Sequence, residues 1–172
     1  MIKTKFKDLL IFQNKKHDDK RGYFKELIRE NNVNNKFPFL VMSFSKKNVI
    51  RGLHLQVKKP QDKFIGVLKG KILDVVVDLR KNSKTFGHHY KIILSEKKAR
   101  FLLVPKGFAH GFLGLEKENI VLYSCSNYRH SIYERSIKWN DKDLNIKWGI
   151  KKPIISKRDA RASSFKEFTK NK

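Results

Sequence analysis

The chain has 172 residues, 40% of them apolar and 13 of them Phe, enough for one globular domain with its own core. It has no run of 18 uncharged apolar residues, its first eight residues lack the features of a leader, and Cys125 is its one cysteine; a membrane span, a signal peptide and an intrachain disulfide are therefore not expected, and a cytoplasmic protein is. The formal charge of +24 invites nucleic acid as a partner, but the lysines are scattered along the whole chain, so attraction of a small anionic substrate is the expected consequence.

In chain order, residues 6–12 read as a first strand and residues 17–22 as a polar loop. Residues 23–29 fit a strand or a short helix, residues 31–35 are a loop, and residues 39–44 are an apolar run. Asn48-Val49-Ile50 then feeds the polar stretch Arg51-Gly52-Leu53-His54-Leu55-Gln56, around which the chain is organised. Strand alternation puts Arg51, Leu53 and Leu55 on one face and Gly52, His54 and Gln56 on the other. Residues 64–68 form a strand, Lys69-Gly70 a tight turn, and residues 71–79 a strand with Leu73, Val75, Val77 and Leu79 on one face. Asp74 and Asp78 share the opposite face with Ile72 and Val76 and read as a wet face. Strands follow at 90–94, 99–104, 111–115 and 120–124, and the polar segment 156–172 suits a short outer helix. Short strands at close spacing, with no βαβ alternation, repeat or linker, predict one domain over 1–172, an antiparallel sandwich or barrel.

Two histidines then raise the question of metal. Pro105-Lys106-Gly107-Phe108-Ala109-His110 matches the later metal motif of jelly-roll cupins, but His54-Leu55-Gln56 has Gln where their second ligand His stands. No Glu follows closely and Lys63 stands near, so no metal is expected. His54 is left as a core histidine or a general base. Lys63 reads as a surface lysine or as a partner for a developing oxyanion, Tyr123 as core packing or as an acid, and Asp159 as a surface charge. His17, His130 and the loop pair His88-His89 carry no signal, Cys125 suits a small core position, and Trp139 and Trp148 suit packing anchors.

With these pieces in order, the chain resembles the dTDP-4-dehydrorhamnose 3,5-epimerase family. The resemblance runs through residues 20–26, 51–56, 78–87, 105–112, 122–128, 136–141 and 156–160. It implies an all-β fold, a cupin jelly-roll barrel or sandwich with short peripheral helices. It further implies a cofactor-independent epimerase that inverts C3, C5 or both in a nucleoside-diphosphate 4-keto-6-deoxy sugar for surface polysaccharide precursors. His54 is then the base, Asp159 its hydrogen-bond partner, Tyr123 the acid, and Lys63 the group that neutralises the enolate. Arg21 and Arg51 fall on diphosphate-binding positions; Glu26, His110, Glu134 and Arg158 fall on other substrate-contacting ones. The family forms homodimers by strand exchange, so the expected partners are the sugar nucleotide and a second copy, with no nucleic acid or membrane.

Two departures fall on substrate-contacting positions. Arg129 stands where the family has a Tyr that stacks on thymine, and Val41-Met42-Ser43 stands for Gln-x-Asn, leaving Ser43 at a contact position. An Arg there also suits guanine, so a GDP-linked substrate, hexose or heptose, stays open beside a dTDP-linked one. The alternatives are a non-catalytic jelly roll that binds phosphate-rich ligands and a metal-dependent cupin.

Overall fold

The structure, a computed structural model, describes residues 1–29, 31, 33 and 36–170. Two antiparallel sheets face each other. The first has six strands in the order β1 (Ile2–Lys3), β2 (Leu10–Gln13), β10 (Arg100–Val104), β7 (Lys63–Lys69), β12 (Glu118–Cys125), β5 (Phe39–Lys46). The second has five: β13 (Glu134–Ser136), β6 (Ile50–Gln56), β11 (Phe108–Gly114), β8 (Lys71–Asp78), β9 (His89–Ser95). A separate hairpin pairs β3 (Lys16–Asp19) with β4 (Gly22–Lys25), and two short helices, α1 (Lys157–Ala160) and α2 (Phe165–Lys170), close the chain. This is the jelly-roll architecture expected from the sequence.

Period-two burial drives the packing. Ile65, Val67, Leu102, Val104 and Val121 of the first sheet meet Ile72, Val76, Phe108 and Phe112 of the second in the inter-sheet core. The outer face of the second sheet is buried too: Val75, Val77, Leu79 and Leu113 pack under Leu144, Ile146, Trp148 and Phe168 of the C-terminal segment. Trp148 is further fixed by donating its indole N–H to the Trp139 carbonyl at 2.7 Å.

Several expectations are corrected. The first strand is shorter than residues 6–12, because the Thr4 hydroxyl takes the Phe6 N–H at 3.1 Å and donates to the Leu9 carbonyl at 2.9 Å, closing a turn before β2. The supposed loop 17–22 is instead most of β3 and the turn into β4; residues 23–25 lie in β4 and residues 26–29 are irregular, with no helix. Asp74 and Asp78 are not wet: the first sheet covers their face, and both are fully buried. His89 opens β9 and is half-buried, which pushes its pKa down.

The alternation expected along residues 51–56 also fails, for a reason that shapes the site. β6 pairs with β11 through His54↔His110 and Arg51↔Phe112, three residues against two. The extra residue reverses the parity, so Arg51 shares the cavity side with His54 while Leu53 and Leu55 enter the outer core. Gly52 allows this close approach: a Cβ on it would lie 2.5 Å from the Gly111 Cα and 2.9 Å from the His110 carbonyl oxygen.

Candidate active site

A cavity of about 710 Å³ opens between the two sheets. The second sheet contributes Arg51, His54, His110, Phe112 and Glu134; the first contributes Val41, Lys63, Tyr123 and Cys125. The C-terminal segment adds Ile154, Ile155, Arg158 and Asp159, and Arg129 comes from the loop after β12.

Asp159 reaches His54 because the segment before it is stitched to the start of β6. The Ile50 N–H donates to the Ile154 carbonyl at 3.0 Å, and the Ile154 N–H donates to the Asn48 carbonyl at 2.8 Å. Beyond α1, the Lys138 N–H donates to the Ser163 carbonyl at 2.9 Å. Ser156 caps α1 by accepting the Asp159 N–H at 3.0 Å, which turns the carboxylate inward. Oδ1 of Asp159 lies 2.5 Å from His54 Nε2, and Oδ2 accepts the Gly52 N–H at 3.4 Å. Burial raises the Asp159 pKa, but the hydrogen bond to His54, its charge interaction and the Gly52 N–H outweigh it, and the net shift is downward. A carboxylate that accepts at Nε2 leaves Nδ1 of His54 with its lone pair.

Tyr123 stands on the opposite sheet, its hydroxyl 3.3 Å from Ser43 Oγ. Burial, aided by the charge of Asp74, pushes its pKa up against the opposing effects of Ser43 and Arg51, so the phenol holds its proton at neutral pH. Lys63 lines the cavity on β7; desolvation lowers its pKa, opposed by Cys125, Glu134 and Asp74. Cys125, opposite Lys63 in the register, is buried, and its thiol pKa is pushed up by that burial.

Glu134 organises the cationic rim. It accepts two hydrogen bonds from Arg129, at 2.8 and 3.0 Å, and one from Arg158 at 2.6 Å. The bonds from Arg129, partly offset by burial, and those from Arg158 hold its pKa down at about 2. Arg51 is held by Ser45 Oγ and the Phe44 carbonyl, each at 2.9 Å.

The cavity thus gathers nine of the twelve residues singled out from the sequence: His54, Lys63, Tyr123, Asp159, Arg51, His110, Arg129, Glu134 and Arg158. Ser43 stands one hydrogen bond behind, on the Tyr123 hydroxyl. Arg21 and Glu26 are elsewhere: Arg21 projects from the turn of the β3–β4 hairpin, paired with Asp19, and Glu26 pairs with Arg29. Missed from the sequence was Asp74, 2.8 Å from His110 Nε2. Its one signal was its place in a strand buried on both faces.

A family model described as dTDP-4-dehydrorhamnose 3,5-epimerase matches residues 3–167. The chain belongs to that family. A relative of the same name from Methanothermobacter thermautotrophicus is 40% identical, over 96% of this chain and 94% of its own. The crystal structure of dTDP-4-dehydrorhamnose 3,5-epimerase from Elizabethkingia anophelis superposes with a TM-score of 0.90 at 40% identity, covering 96% of each chain. That of the dTDP-6-deoxy-D-glucose-3,5-epimerase of Legionella pneumophila, in complex with dTDP-4-keto-L-rhamnose, does so with a TM-score of 0.90 at 37% identity, covering 95% of this chain and 90% of its own. Membership makes the protein a nucleotide-sugar epimerase, an isomerase, on a jelly-roll scaffold.

Proposed function

We propose that the protein inverts C3 and C5 of a dTDP-linked 4-keto-6-deoxy sugar, without a cofactor, in the cytoplasm, on the way to a surface polysaccharide. One observation carries the reading: His54, fastened to a buried carboxylate on one sheet, shares a cavity with a protonated phenol from the other. The keto group at C4 acidifies the neighbouring C–H bonds. Nδ1 of His54 takes a proton from one carbon, and the electron pair of that bond moves into an enolate with its charge on the C4 oxygen. The Lys63 ammonium offsets that charge, worth most in a desolvated site. Tyr123 delivers its phenolic proton to the carbon from the far side; exchange with water then takes the proton from the imidazolium and returns one to the phenolate, and repetition at the second carbon gives the double inversion. Arg51, Arg129 and Arg158 form a rim suited to a diphosphate, and the Legionella relative holds a dTDP-linked 4-keto sugar.

A second substrate is favoured by Arg129 on the cavity wall: a GDP-linked 4-keto sugar, hexose or heptose. The two are separated by incubating the protein in heavy water with each sugar nucleotide and reading deuterium at C3 and C5 by mass and NMR. Wash-in at both carbons of the dTDP sugar is the expected result, and label at one carbon alone restricts the enzyme to a single centre. His54→Asn abolishes wash-in, and Tyr123→Phe removes epimerisation while sparing the first abstraction. A wild-type protein that labels neither sugar, or a His54→Asn variant that labels normally, overturns the reading.

The active form is proposed to be a homodimer with exchanged strands. The β3–β4 hairpin carries exposed Tyr23 and Phe24, and β5, an edge strand, presents exposed Leu40, Met42 and Phe44 along one face.

A further inference from the structure

β8 carries a buried carboxylate that the reaction as described leaves unused. Asp74 Oδ2 lies 2.8 Å from His110 Nε2, with Asp74 fully buried and His110 only 5% exposed. Asp74 Oδ1 has no hydrogen-bond partner among the described residues. A bare carboxylate oxygen in the interior is costly, so the residue stands there against its own desolvation. What it gains is a grip on one ring.

That ring has a particular place. β11 runs between β6 and β8, and His110 is the direct cross-strand neighbour of His54 on β6. Directly opposed side chains have Cβ atoms about 5 Å apart. Each imidazole is fastened through Nε2 to a carboxylate from the opposite flank, His54 to Asp159 of α1 and His110 to Asp74 of β8. The His110 ring also stands edge-on to Tyr123, centroids 6.0 Å apart. It lines the cavity next to both the base and the acid, and its Nδ1 has no hydrogen-bond partner among the described residues.

We propose that Asp74 is a positioning residue of the epimerase: it accepts the Nε2 proton of His110 and so fixes Nδ1 as the ring atom that meets an oxygen of the bound sugar. The geometry stands by itself, while the catalytic consequence rests on the epimerase reading above. A sugar held between His54 and Tyr123 lies against that atom. The same carboxylate's charge favours the protonated forms of Tyr123 and Lys63, reinforcing the states that the acid and the oxyanion partner need.

The test uses Asp74→Asn, which keeps the shape, and Asp74→Leu, which removes both charge and acceptor. In the ligand-free protein, 15N NMR of the histidine rings, with His110 assigned by difference from His110→Gln, reports the tautomer. The wild type shows His110 carrying its proton on Nε2, and Asp74→Leu loses that preference. A wild-type ring protonated on Nδ1 alone overturns the positioning, whether or not the epimerase reading holds. In steady-state turnover with the dTDP-linked 4-keto sugar, Asp74→Asn, folded by circular dichroism, loses about 10- to 100-fold in kcat with KM within about twofold. An unchanged kcat, or a loss confined to KM or to melting temperature, overturns the catalytic role. Wild-type protein inactive on every 4-keto sugar overturns both that role and the epimerase reading, while the tautomer still decides the geometry by itself.

Discussion

Asp159 shows how one carboxylate can be both buried and charged. At 3% exposure its burial alone favours the neutral acid, yet His54 and the Gly52 N–H reverse the balance. Because the folded pKa lies below the unfolded value of about 3.9, the pair's stabilisation is complete above that value and fades only as pH falls through the lowered one. Asp159 therefore stays ionised across the working range, and an acid limb in the rate profile above about pH 5 belongs to another group. Asp159→Asn is expected to lower kcat about 100-fold at every pH from 6 to 9, with dTDP affinity by calorimetry within about twofold. A normal kcat removes Asp159 from the mechanism. Little of this was legible locally. His54 and Asp159 are 105 positions apart, and residues 156–160 alone read as a surface charge. Only the family resemblance marked Asp159, because a bridge between residues 49 and 154 is invisible to local pattern. Asp74 was lost for the opposite reason. Period two gave its face correctly, and the near-continuous apolar run around it was the one hint that a second sheet covers that face.

At the scale of elements, strands from β5 to β12 were readable because hydrophobic periodicity dominates there, whereas the failures lie where side chains or bulges override it. The Thr4 turn delays the start of the first expected strand to Leu10, and the bulge in β6 moves Arg51 to the cavity side. The connection from β8 to β9 was read as a loop and is one, but it is built on Asp78, whose wet reading failed. Its carboxylate accepts from Arg80 Nε at 2.9 Å and Nη2 at 2.8 Å, and from the hydroxyls of Ser83 at 2.6 Å and Thr85 at 2.7 Å. Burial pushes its pKa up, but these bonds, with the Arg80 N–H, hold it down at about 2. The loop's stabilisation is therefore full above the ordinary Asp pKa and is lost as pH falls from about 4 through about 2. Asp78→Asn is expected to cost about 2 kcal/mol in urea unfolding at pH 7, and the difference from wild type is expected to shrink below pH 3. A gap independent of pH would assign the loss to packing instead of charge.

At the scale of the whole molecule, Arg21 and Glu26 stand apart from the cavity. Both fall on positions that the resemblance ties to substrate, yet neither lines the cavity of its own chain, and Arg21 pairs with Asp19 on an exposed hairpin. An arm with exposed Tyr23 and Phe24 does not favour standing free in water, and in a two-fold dimer whatever one arm does to the partner, the partner's arm does in return. If the arm completes the neighbouring cavity, Arg21→Ala damages a site that the variant chain does not itself contain. Mixing then separates the possibilities. Arg21→Ala and His54→Asn dimers are each impaired, the first for lack of an arm and the second for lack of a base. A mixed dimer restores one cavity, with His54 from one subunit and Arg21 from the other. After reversible dissociation and random pairing of equal amounts, activity should rise to about a quarter of the wild-type value. If Arg21 serves its own chain, every cavity in the mixture lacks one of the two groups and no activity returns. Sedimentation at equilibrium provides the companion measurement: a monomer at micromolar concentration removes both the dimer and the shared site.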